Sequence, residues 1–136
     1  MEHLLHYVWK HKIFPLKTLQ TTGGLPVEVI DPGLHNSNAG PDFFNAKLKI
    51  NGTLWVGNVE IHSCSSDWFK HGHDRDKAYD SVILHVVEQP DCEVVRPNGE
   101  TIPQLVLGCP EHVSEHYEEL RRADIYAIPD SAPYRN

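Results

Sequence analysis

Two acidic residues in the first half of the chain have the types and spacing to share a cation. Asp42 follows Gly40-Pro41, and Glu60 opens the run Glu60-Ile61-His62. A divalent ion such as Mg²⁺ takes oxygen ligands, one or two of them carboxylates, with water and phosphate oxygen completing the shell. A basic side chain two residues beyond the second carboxylate projects from the same strand face, because strand side chains alternate. From there it can orient a water or offset charge on a phosphoryl group. The chemistry implied is metal-assisted hydrolysis, with Asp42 and Glu60 as ligands and Asp42, Glu60 and His62 as the catalytic set.

A second group is His71-Gly72-His73-Asp74, taken with His62 and His85. Imidazoles with an acid suit zinc or a similar metal. In a continuous helix, however, residues two apart point in different directions. The plainer reading, a polar loop of hydrogen-bonding histidines, is preferred. Cys64, near His62 and His85 in sequence pattern, has the makings of a thiol nucleophile. Nothing fixes a Cys–His pair in space, and Ser63-Cys64-Ser65-Ser66 reads as ordinary capping at a strand-to-helix junction. His85, lone in an apolar strand, reads as a satisfied core or edge histidine.

The elements that must position these residues follow from periodicity. Leu4, Leu5, Val8 and Trp9 make residues 2–11 an amphipathic helix, ended by Pro15. Val27–Ile30 is a short strand closed by Asp31-Pro32-Gly33. The polar stretch from Leu34 to Pro41 is either flexible or functional. Phe43–Ile50 and Thr53–His62 flank Asn51-Gly52, the strongest short-range hairpin signal. Ser65 and Ser66 start a short or broken helix across 65–80, and Val82–Val87 suits a buried central strand. A second hairpin is expected from Cys92–Arg96 and Thr101–Leu107, turning at Asn98-Gly99, and then a helix over Glu111–Arg122. The class is mixed α/β with a central sheet flanked by helices.

Register makes the carboxylate pairing testable. A two-residue loop at Asn51-Gly52 sets partners that sum to 103, so Asp42 faces Ile61 and Phe44 faces Val59. Asp42 and Glu60 then lie on opposite faces. A shared metal needs a one-residue slip, predicted as a bulge near Gly57 or a bend at Pro41.

The chain has 136 residues with 12 Lys+Arg and 19 Asp+Glu, a net charge of −7. That length suits one domain over 1–136, divided into a core over about 1–90, a hairpin and helix over 91–124 and an irregular tail over 125–136. No apolar run is long enough for a membrane helix, and the first residues do not form a signal peptide. Three cysteines without a CxxC argue against a disulfide scaffold or a structural zinc site, so a cytoplasmic setting is expected. Residues 81–136 hold four Lys/Arg and ten Asp/Glu, a balance of −6. There is no basic stripe, which counts mildly against a general nucleic-acid binder.

Helix, three antiparallel strands, helix, strand is the αβββαβ order of the PD-(D/E)XK nuclease superfamily, and Pro41-Asp42 with Glu60-Ile61-His62 resembles its motif. The resemblance implies a restriction-endonuclease-like core and a phosphodiester hydrolase using Mg²⁺ or Mn²⁺ on nucleic acid. His62 stands where the family usually has lysine. An additional acid from the first helix or strand is implied, with Glu2 and Glu28 as candidates, and His71 and His73 are accessory groups able to meet phosphate. The runs His6-Tyr7-Val8-Trp9-Lys10, Gly40-Pro41-Asp42-Phe43, Trp55 to His62 and His71-Gly72-His73 are similar to the bacterial domain-of-unknown-function family 2851. Members are usually longer, which implies that this chain is an N-terminal portion. The competing reading is a catalytically inactive α/β module that binds a partner within a larger protein.

Overall fold

In the computed structural model, which describes residues 2–126, the first helix forms where the apolar spacing requires it. α1 (Glu2–Lys10) buries Leu5, Val8 and Trp9 completely, three side chains on one helical face. Each such burial contributes about 1.5–3 kcal/mol. The helix closes on Lys12, whose φ of 54° lets the Ile13 N–H reach back 2.9 Å to the Val8 carbonyl. The Trp9 indole donates to the Pro32 carbonyl at 2.9 Å, tying α1 to the chain after the second strand.

The strands are β1 (Leu19–Gln20), β2 (Pro26–Asp31), β3 (Leu34–His35), β4 (Phe43–Ile50), β5 (Thr53–Cys64), β6 (Val82–Gln89) and β7 (Gln104–Val106). They form one sheet in the order β1-β2-β4-β5-β6-β7, with β3 paired to the start of β4. Pairing is antiparallel from β1 to β5 and parallel from β5 to β7. An antiparallel bridge between Thr21 and Leu105 joins the two ends of this order, so the sheet curls until its edges meet. The larger core lies on the α1 side and includes Val27, Phe43, Leu48, Ile61, Leu84 and Leu105. On the other side Trp68, Tyr79, Val82, Val94 and Ile102 form a smaller cluster.

Between β5 and β6 the expected helix is broken. α2 (Asp67–Lys70) is a single turn, followed by two 3₁₀ turns at His73–Arg75 and Lys77–Tyr79. Gly72, at φ 73°, is the break. Further on, α3 covers Glu111–Tyr126, so Asp124 is followed by two more helical residues and not by irregular tail; the remainder of that tail, 127–136, lies outside the described residues.

The expected second hairpin is reduced to the residues beside its turn, where Arg96 N donates to the Glu100 carbonyl at 2.8 Å and Ile102 N to the Val94 carbonyl at 3.0 Å. Val95 and Thr101 make one isolated antiparallel bridge around the Asn98-Gly99 turn, and only Gln104–Val106 is strand, parallel to β6. Two causes are visible. Pro97 and Pro103 have no N–H to give a ladder, and Gln104–Val106 pairs with β6 instead. The segment beyond residue 90 is therefore part of the sheet and its second cluster, not an appendage to a finished core. The polar stretch from Leu34 to Pro41 is also built in. The Asn36 amide donates to the carbonyls of Asn38, Ala39 and Pro41 at 3.3, 3.0 and 3.0 Å.

The hairpin at Asn51-Gly52 has two registers. Partners sum to 103 from Ile50↔Thr53 to Ala46↔Gly57, then to 102 at Phe43↔Val59. The extra residue sits in β4 at Phe44-Asn45, opposite Asn58 and next to the predicted Gly57. Asn45 takes φ 58°, a left-handed conformation that asparagine tolerates better than most residues. Its N–H donates to Asn58 Oδ1 at 3.1 Å, while Asn58 Nδ2 donates to Ser81 Oγ at 2.8 Å. A second shift, Asn58↔Val82 then Val59↔Leu84, places an extra residue, Ile83, in β6.

Gly57 is where these two irregularities crowd together. A Cβ there would lie 2.5 Å from Ile83 Cγ2 and 2.9 Å from the Ser81 carbonyl oxygen. Gly57→Ala is expected to lose about 1–3 kcal/mol in urea unfolding by overpacking. Gly108→Ala, which meets no atom within 4 Å, stays within about 0.5 kcal/mol of the parent.

Candidate functional site

The bulge at Asn45 reverses the alternation of β4, and this decides which carboxylates meet. Ahead of it Phe43 faces the α1 side with Val59, so Asp42 falls on the face of Glu60. Each acid accepts from the other strand's backbone. Asp42 N donates to Glu60 Oε1 at 3.1 Å, and Ile61 N donates to Asp42 Oδ2 at 2.8 Å. Two N–H groups at the frayed end of the ladder are satisfied this way, and the two carboxylates are fixed side by side. From α1, His6 Nε2 reaches within 3.5 Å of Asp42 Oδ2, while its Nδ1 lies 3.3 Å from His35 Nε2. A cleft of about 210 Å³, lined in part by His6, Lys10, His35 and Phe43, opens beside them.

The other oxygen of Glu60 faces imidazoles. Glu60 Oε2 is 3.2 Å from His62 Nε2 and 3.0 Å from His73 Nε2. His62 Nε2 is also 3.2 Å from His71 Nδ1. The three histidines each present one ring nitrogen, and these atoms lie within 4.8 Å of one another. Gly72 is responsible. Its left-handed turn ends the helix after His71 and swings His73 to the same side, which a continuous helix would forbid. His73 stacks on Tyr79 at 3.7 Å between ring centroids, and Trp68 meets both His73 and His85 edge-on at 5.2 Å.

Behind this group runs a buried relay. Gln104 Nε2 donates to the Cys92 carbonyl at 2.9 Å, which assigns its Oε1 as acceptor from His85 Nδ1 at 2.9 Å. A neutral His85 then offers its Nε2 lone pair to His62 Nδ1, 2.8 Å away. The network therefore engages His62 through Nδ1 and turns its Nε2 towards Glu60 and His71.

Electrostatics follow the geometry. Burial pushes the Glu60 carboxyl up, but hydrogen bonds from His62 and His73 outweigh it and hold the group at about 2. Burial and the adjacent His62 bring His85 down to about 4. Burial lowers His6, yet its contact with Asp42 and the nearby Glu2 and Glu60 charges leave it raised. Burial lowers His35, with His6 adding to the effect.

The structure thus gathers Asp42, Glu60, His62, His71 and His73. Glu28 is elsewhere. It pairs with Lys49 on the exposed side, about 20 Å along the strand from Asp42. Its neighbours Val27 and Val29 take the core-facing positions and leave Glu28 outward. Glu2 stands one helical turn before His6 and acts on it only through charge. Sequence reasoning missed His6, His35, the His85–Gln104 relay and Asn45 with Asn58. For the bulge a signal existed, since two asparagines flank the position that needs a slip.

A family model described as "Protein of unknown function (DUF2851)" matches residues 2–130. No curated protein and no solved structure matches the chain. Among the described residues no helix is long and apolar enough to cross a membrane.

The relay carries a pH signature. Unfolded His85 takes a proton near 6.5, whereas the buried ring stays neutral to about 4. Between those values the unfolded state holds more protons, so stability is lost as pH falls from 6.5 towards 4. Thermal melts of chelator-treated protein should show a falling midpoint across this window, flattened in His85→Gln. An equal slope in the variant would assign the effect elsewhere.

Proposed function

The chain belongs to the DUF2851 family, and we propose that it is a divalent-metal-dependent phosphodiester hydrolase of the PD-(D/E)XK type, acting on nucleic acid. One observation carries the reading: the bulge at Asn45 puts Asp42 and Glu60 on one face with both carboxylates held by backbone N–H groups. The element order α1, β2, β4, β5, α2, β6, with β6 parallel to β5, supports it.

Asp42 and Glu60 offer the hard oxygen donors that suit Mg²⁺ or Mn²⁺. Bound there, the ion lowers the pKa of a water and polarises a phosphoryl oxygen. His62, in the position the superfamily gives to lysine, lies beside Glu60 to offset developing charge. Lys10, His6 and His35, around the adjoining cleft, are placed to meet a phosphate. Without a basic stripe, affinity for a long duplex is expected to be low and strongly salt-dependent. Free Cys64, Cys92 and Cys109 fit a reducing, cytoplasmic setting.

Purified protein with Mn²⁺ or Mg²⁺ should cut plasmid DNA, single-stranded DNA or RNA. Asp42→Asn and Glu60→Gln, which keep the shape of each side chain, should each reduce cleavage on the order of 100-fold or more. If all three substrates stay intact with either ion, while the protein melts cooperatively, the hydrolase reading fails.

A further inference from the structure

We infer that His62, His71 and His73, with Glu60 Oε2 beside them, form a binding site for a borderline transition-metal ion of the Zn²⁺ class that does not use Asp42.

The spacing is that of a coordination shell. Ligands about 2.1 Å from a tetrahedral centre lie about 3.4 Å from one another. Here the adjacent donor pairs are 3.0, 3.2 and 3.2 Å apart, and the three imidazole nitrogens fall within 4.8 Å. Three imidazole nitrogens and one carboxylate oxygen favour zinc, cobalt, nickel or iron over Mg²⁺, which prefers oxygen and water.

The proton arrangement points the same way. The Gln104–His85–His62 relay engages His62 through Nδ1 and leaves its Nε2 facing Glu60 Oε2 at 3.2 Å. A donor from His71 can serve His62, and one from His73 can serve Glu60. The ring nitrogen and the carboxylate oxygen face each other in a buried place. His62 is 1% exposed and Glu60 4%. A cation among the nitrogens of His62, His71 and His73 has Glu60 Oε2 at hand to offset its charge. The relay then has the form of an outer shell, with a ligating histidine giving its other ring N–H to a fixed acceptor. His73 Nδ1 is buried without a partner, so this ring's single set of polar contacts is on the Nε2 side, towards the site.

This inference does not depend on the phosphodiester reading, and substrate-free metal binding tests it. Tag-free protein, stripped with chelator, is titrated with Co²⁺ and followed by visible d–d absorption, with Zn²⁺ then used to displace it. Expected are one Co²⁺ per chain with low-coordinate absorption and retention of binding in a large excess of Mg²⁺. Loss on the order of 100-fold or more is expected in His71→Ala, since even outer-shell changes typically cost 10–100-fold. His71 is exposed, so its removal leaves the fold in place. Asp42→Asn should keep Co²⁺ binding while abolishing any phosphodiester cleavage. Binding unchanged in a His71→Ala/His73→Ala double variant overturns the site, as does the absence of binding by folded protein. Displacement by Mg²⁺, or loss of Co²⁺ in Asp42→Asn alone, returns the ion to the carboxylate pair and overturns it as well.

Discussion

The whole of this site depends on one residue too many in β4. Strand side chains alternate, so a hairpin in uniform register would bury either Asp42 or Glu60 with the apolar side chains and leave the other opposite. The extra residue at Asn45 changes the parity only for the last part of the strand. Leu48 and Ile50 keep their places in the core, and Asp42 is delivered to the other face. Asn58 stabilises the irregularity by accepting the N–H that the bulge would strand.

That other face is an expensive place for polar groups. Glu60, His62, His73 and His85 are all nearly or fully buried. Isolated there, each would carry a desolvation penalty of several kcal/mol if charged. They are tolerated because they answer one another, from Gln104 through His85 and His62 to Glu60 and His73, with Trp68 and Tyr79 packed around them. The chain beyond residue 90 is part of this arrangement, since it supplies Gln104 at one end of the relay and the apolar cover over Trp68.

Glu60 joins the two halves. Its Oε1 accepts from the Asp42 backbone and its Oε2 faces the imidazoles. A single side chain therefore borders a hard-oxygen environment and a nitrogen-rich one. Its unusually acidic carboxyl is the consequence of lying against two imidazole rings.

Much of the architecture was legible without coordinates. The spacing of Leu5, Val8 and Trp9 determines the first helix. Asn51-Gly52 determines the hairpin and its register near the turn. The unbroken apolar run Val82–Val87 determines a central strand, because each of these is a local pattern of turn chemistry or burial period. Even the need for a slip between β4 and β5 followed from counting. What counting could not supply was the strand that carries it, β4 across from Asn58, since that rests on contacts from Asn58 and Ile83 in neighbouring strands. The second hairpin stayed short for a related reason: two prolines and the pairing of Gln104–Val106 with β6 limited what its Asn98-Gly99 turn could start. Likewise the convergence of His71 and His73 on His62 depends on the backbone sign at Gly72 and on a strand whose His62 lies nine residues before His71. Residue types and short-range periods belong to the chain itself; which donors meet is decided by long-range pairing, and only the tertiary structure contains that.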